Sequence, residues 1–222
     1  MTYRASQFID FNSGTVAIPP MRLWQERKPP YSLTDMRDLF ECRVDVWQLG
    51  PAVEILKLME KEAHLPSSVW AHTAYALLAI VFTYFEMIGK TLNPISEPRG
   101  TASKDFNYGF CDVYPAFRSP SGDHADAAVP DVVAFRDRLR NGLYHLGYTK
   151  GGLFLHNEPH LDDFFIDQTG SPTRYLVNPH RLTRTIVAHF PSFMARLRDP
   201  DTKYEPMRRQ FRSFFVKFHA SR

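Results

Sequence analysis

The strongest pattern in the chain runs from Trp70 to Leu92. There Trp70, Ala74, Leu77, Val81, Phe85, Ile88 and Leu92 recur every three or four residues, and most positions between them are apolar as well. A helix apolar almost all round belongs in the centre of a core. Pro66-Ser67-Ser68 ahead of it supplies a start signal with a serine cap. Upstream, Leu49, Val53 and Leu56, widened by Ile55, Leu58 and Met59, predict a first helix from Val46 to near His64. Downstream, Phe106, Phe110, Val113 and Phe117 predict a short aromatic helix ending near Pro115. Pro130 then opens a third long helix, with Val132, Phe135, Leu139, Leu143 and Leu146 inward and a stop near Gly147. Asn178-Pro179 starts another, with Leu182, Ile186, Phe190, Phe193 and Leu197 as its stripe, and residues 203–219 form a last, basic helix around Phe211, Phe214 and Phe215. Between the third long helix and Asn178, the short β-rich runs Gly151–Leu155, Phe164–Ile166 and Tyr175–Val177 predict a small hairpin.

Residues 1–40 carry Pro19-Pro20 and Pro29-Pro30 with scattered aromatics and no period, so they read as an irregular arm. The expected division is an N-terminal arm over residues 1–45 and a helical domain over residues 46–222. Length agrees, since 222 residues suit one domain with an appendage. At 44% hydrophobic and 23% charged, the chain has material for a core and is unlike disordered or low-complexity sequences. Two cysteines without a CxxC pair offer neither a disulfide framework nor a cysteine-rich zinc module. The opening MTYRASQFIDFNSG has no basic start followed by an apolar run, so no secretory leader and a cytoplasmic location are expected. The apolar segment Val69–Gly89 is long enough for a membrane span, but His72, Thr73, Thr83 and Glu86 interrupt it, which favours a core helix and no membrane association.

Charge is unevenly spread. The net charge is +3, yet residues 171–222 hold eleven basic side chains against three acidic ones. A basic C-terminal quarter on an acidic body suits a protein that meets a polyanion, with Arg208, Arg209 and Arg212 as candidate contacts; the alternative is a solvated helix face.

Phosphate-loop, dinucleotide, zinc-protease, serine-hydrolase and kinase signatures are all absent. His156 and His160 are spaced as metal ligands on a helix, but Pro159 breaks any helix there, so they read as turn residues and no metal is expected. The informative segment is Arg140-Asn141-Gly-Leu-Tyr144-His145. At about 100° per residue, Arg140, Asn141, Tyr144 and His145 share one wedge, opposite the stripe of Leu139, Leu143 and Leu146. A basic, amide and imidazole cluster is thereby turned away from its helix's own core, towards water or a partner.

This hexapeptide resembles the R-[N/D/H]-xxx-H form of the motif of HEPN domains, all-α bundles many of which are metal-independent RNases. Members also tend to carry a glutamate in an ExxxK arrangement on an earlier helix, and Glu86-Met-Ile-Gly-Lys90 is similar to it. The resemblance spans about residues 46–199. It implies an all-α, HEPN-like bundle with a small β-hairpin after the third long helix and an irregular N-terminal arm outside it. It also implies an endoribonuclease working without a cofactor as a homodimer, with both motifs at one cleft.

The residue types suit that chemistry. His145 is the one side chain of the cluster that titrates near neutrality, so it can take the proton of a ribose 2′-OH. Arg140 offers a planar, permanently charged fork to phosphate oxygens. Asn141 can orient His145 or donate to phosphate. Attack by the 2′-oxygen gives a 2′,3′-cyclic phosphate and a 5′-OH. Glu86 either orients this site or pairs with Lys90 within its helix, Lys90 being a candidate RNA contact; Tyr144 either stacks on a base or packs at an interface. Two other functions use the same residues: an RNA- or nucleotide-binding module that does not cut, and a dimerisation module.

Overall fold

The computed structural model describes residues 30–61, 67–94, 101–118, 130–141, 153–156, 162–167, 169 and 173–219. The protein is mostly helical with one small three-stranded sheet. Its elements in order are α1 (Leu33–Val44), a π turn (Asp45–Leu49), α2 (Gly50–Lys61), α3 (Ser67–Leu92), α4 (Ala102–Val113) and α5 (Pro130–Asn141). Then follow β1 (Leu153–Leu155), β2 (Phe164–Asp167), β3 (Arg174–Val177), α6 (Pro179–Arg198) and α7 (Glu205–His219).

Helix α3 is central, as its all-round apolar pattern predicts, with Ala74, Leu77, Leu78, Tyr84, Phe85 and Ile88 fully buried. It is long and apolar enough to cross a membrane by length and composition. Its apolar stretch packs against α4, α6 and α7. The α3–α4 pairing is unusually close because each helix presents a glycine to the other. A Cβ on Gly89 would stand 1.6 Å from the carbonyl oxygen of Asp105, and one on Gly109 would stand 1.9 Å from that of Phe85. No other residue type fits at these points. At the end of this pair the buried carboxylate of Asp105 accepts from Asn93 Nδ2 (2.8 Å) and Thr101 Oγ1 (2.9 Å).

The predicted arm reaches too far into the chain. Residues 33–44 are helical, opened by a capping box in which Asp35 N–H donates to Ser32 Oγ (3.1 Å) and Ser32 N–H donates to Asp35 Oδ2 (3.0 Å). Such a cap is worth about 1 kcal/mol. Met36, Leu39, Phe40 and Val44 are its buried side, a helical stripe too narrow to stand out beside the flanking prolines. The helix runs through the π turn into α2, so the predicted start at Val46 is the middle of a longer element. Pro51 has no N–H for the carbonyl of Trp47, and Gly50 N–H reaches back to Asp45 O, which widens the turn. Leu58, predicted to widen the buried face, is exposed.

The predicted hairpin is part of a mixed sheet ordered β1-β3-β2. Strands β2 and β3 are antiparallel, but β1 lies parallel to β3 on its other side. Alternating hydrophobicity marks strands without revealing their direction, which is why the parallel partner was not foreseen. The inner face packs against the helices: Phe164 meets Phe135 at 4.2 Å between ring centroids and Phe110 at 5.5 Å, and Tyr175 stacks on Phe135.

Candidate functional site

Helix α5 carries the Arg140-Asn141 half of the motif as its last two described residues. Val132, Phe135 and Leu139 are all but completely buried, as the stripe predicts. Asp137, which by helical phase shares the wedge of positions 140 and 141, has 56% of its side chain exposed. Arg136 and Arg138 tie the helix down. Arg136 donates to Ser103 O (3.1 Å) and to Asp137 Oδ1 (2.6 Å), while Arg138 donates to Thr173 O (3.1 Å) and lies over the Tyr175 ring. The side chains of Arg140 and Asn141, and all of Tyr144, His145, Leu143 and Leu146, lie outside the described residues. So does His160; His156 stands at the end of β1 and donates its N–H to Val177 O (3.0 Å). Among the described residues no three histidine, cysteine or acidic side chains are grouped to hold a metal.

Glu86 and Lys90 are both half-buried and line one cavity of about 230 Å³. Its other polar lining is Arg43, Gln48 and Thr83, with Phe214 and Phe215 across from them. The π turn sets Gln48 where its Nε2 donates to Thr83 Oγ1 (3.0 Å), and Gln48 Oε1 is buried without a hydrogen bond. Thus α1, the π turn, α3 and α7 build this cavity, and no described residue of α5 lines it.

The basic C-terminal helix divides into two kinds of arginine. Arg208 is 8% exposed, and its guanidinium donates to the carbonyls of Asp199, Pro200 and Asp201, with Nε on Glu205 Oε2 (3.0 Å). It closes the C-terminal end of α6, a role that leaves no fork for phosphate. Of the three arginines expected to meet RNA, Arg208 is thus engaged with the protein's own backbone. Arg209 and Arg212 are exposed.

Sequence spacing did not find a second, largely buried polar network. Tyr84 Oη is 2.7 Å from His189 Nδ1, and His189 Nε2 is 3.0 Å from Asp112 Oδ2. Arg196 grips the same carboxylate with both arms, Nη1 to Oδ1 at 2.9 Å and Nη2 to Oδ2 at 2.6 Å. Burial raises the Asp112 pKa, but the hydrogen bonds from His189 and Arg196 outweigh it and hold the group at about 2. An ionised Asp112 can only accept, so His189 Nε2–H donates to it, while Tyr84 Oη and His189 Nδ1 share the hydrogen bond on the other side of the ring. Beside this network Tyr114 donates to Asp163 Oδ2 (2.5 Å), and burial together with that carboxylate raises the phenol's pKa. Three helices meet here, with only His189 and Arg196 on the same one, so no local motif marks the network; the one hint is polar side chains beside apolar stripes.

No family model, curated protein or solved structure matches the chain.

Proposed function

We propose that the protein is a metal-independent endoribonuclease of the HEPN kind, cutting RNA at Arg140, Asn141 and His145. The observation that carries this is the setting of α5. Its apolar stripe is buried, Asp137 on the motif's wedge is exposed, and Arg140-Asn141 lie on the same helix, which Arg136 and Arg138 hold to Ser103 and Thr173. In this reading His145 takes the 2′-OH proton, the 2′-oxygen bonds to phosphorus and the bond to the 5′-oxygen breaks. That oxygen leaves with a proton returned to it, giving a 2′,3′-cyclic phosphate and a 5′-OH. Arg140 stabilises the charge on the phosphorane oxygens and Asn141 orients the imidazole. A second copy across a two-fold axis brings its own motif to the same cleft and excludes water. Exposed Arg209 and Arg212 gather RNA through its backbone, which adds affinity and salt dependence more than sequence choice.

Incubating the protein with RNA in EDTA tests this. Cleavage is expected, and His145→Ala or Arg140→Ala is expected to reduce it by about 10²-fold or more with folding intact. One observation favours a second reading, an RNA-binding module that does not cut: Glu86 and Lys90 share their cavity with Arg43 and Gln48 rather than with α5. RNA retained intact by the folded protein is the outcome that selects it.

A further inference from the structure

The sheet hides one face and shows the other. Leu153, Phe164, Tyr175 and Val177 point into the core, so the alternate positions point out. On that outer face the register puts Phe154 of β1, Leu176 of β3 and Phe165 of β2 side by side in one row. Outward positions of a small sheet are ordinarily polar, yet here Phe154 is 49% and Phe165 is 44% exposed. The guanidinium of Arg174, on the same face of β3, stands 5.9 Å from the Phe154 ring centroid. Arg174 makes no ion pair among the described residues. Asp167, opposite it in register, spends Oδ1 on the N–H (2.9 Å) and hydroxyl (2.6 Å) of Thr169 and feels the Arg174 charge without pairing with it.

We infer that this face is a platform for single-stranded RNA, on which Phe154 and Phe165 each stack a base and Arg174 meets the backbone phosphate. The rings are two strand spacings apart, about 10 Å, far enough to take two different bases with Leu176 as the floor between them. Stacking on exposed aromatic rings needs unpaired bases, since those of a duplex are already stacked on one another. The cation over one face of the Phe154 ring is what separates this surface from a purely apolar docking surface, and it leaves the ring's other face for a base. Its position also suits the cutting centre: β1 packs against α5, and Arg138 of α5 donates to Thr173 O at the foot of β3. The choice of RNA as occupant rests on the function proposed above.

The test uses the His145→Ala chain, so that RNA stays whole, and the fluorescence anisotropy of a labelled twelve-nucleotide oligouridylate. Phe154→Ala with Phe165→Ala is expected to weaken binding at least about tenfold. Phe154→Leu with Phe165→Leu, apolar but not flat, is expected to weaken it similarly. The double tyrosine variant keeps the rings and is expected to bind within about twofold of the parent, which separates stacking from damage to the sheet. Arg174→Ala is expected to lower the salt slope of binding by about one. Unchanged binding by the alanine or the leucine pair, or no binding of the oligonucleotide by the parent, overturns the platform. So does an alanine pair that binds RNA normally but loses a dimer by light scattering, which makes the face an interface between copies. Cleavage by the chain with His145 intact is read separately. Cutting that ignores the phenylalanines leaves the nuclease standing without the platform, and phenylalanine-dependent binding without cutting leaves the platform standing without the nuclease.

Discussion

At the scale of single residues, the same side-chain type does different work according to what surrounds it. Arg208 is folded onto three carbonyls, while Arg209 and Arg212 face water. Arg208→Ala is expected to cost about 2–3 kcal/mol in urea unfolding, because carbonyls satisfied by a charged donor are left bare. Arg209→Ala and Arg212→Ala are expected to stay within about 0.5 kcal/mol and to show their effect in RNA affinity instead. The acids diverge as well. Asp112 is held at about 2, below its ordinary 3.8, so its contribution is present above pH 4 and disappears as pH falls towards 2. Asp112→Asn is expected to be less stable at neutral pH and to lose much of that acid-side slope. Asp45 behaves oppositely. Burial, helped by Glu41, raises it to about 6 against the pull of Arg198, so the folded state holds its proton more tightly than the unfolded chain. Stability therefore falls as pH rises from 4 to 6. Asp45→Asn is expected to raise the melting temperature at pH 7, an advantage that fades below pH 4.

At the scale of elements, the decisive contact is the approach of α3 to α4. Gly89→Ala and Gly109→Ala each drive a methyl into a backbone carbonyl on the other helix, where no side chain can swing aside. Each is expected to cost about 3 kcal/mol or more, or to prevent folding, by circular dichroism and thermal melting. Gly50→Ala meets Asp45 O at 2.8 Å and is expected to cost less, since only the π turn has to adjust. The buried stripes of α3, α4, α5 and α6 were legible in the sequence because a 3.6-residue apolar period survives whatever packs on it. Helix α1 was hidden: its stripe is narrow, its cap at Ser32 lies just past Pro29-Pro30, and the π turn breaks the period between Val44 and Gly50. The strands were legible but their pairing was not, and only the register shows that Phe154 and Phe165 share the exposed face. The Tyr84–His189–Asp112–Arg196 network was illegible for a plainer reason: only the folded chain brings α3, α4 and α6 together.

At the scale of the whole molecule, a packed helical core carries the two surfaces for which we propose a role in meeting RNA, the flank of α5 on which Asp137 is exposed and the open face of the sheet. The proposed cleft needs two chains, because one copy of the motif supplies too few donors to stabilise a phosphorane. Sedimentation is expected to show a dimer, and cleavage is expected to fall as dilution separates it; a monomer cutting at full rate excludes the shared cleft. The central claim is that His145 and Arg140 cut RNA without a metal. Its most direct test is a time course on single-stranded RNA in EDTA, with the products' termini identified. 2′,3′-Cyclic phosphate and 5′-OH ends are expected to appear with the parent chain and to drop by about 10²-fold or more in a folded His145→Ala variant. No cleavage by the folded, dimeric parent, or equal cleavage by the His145→Ala variant, would contradict it.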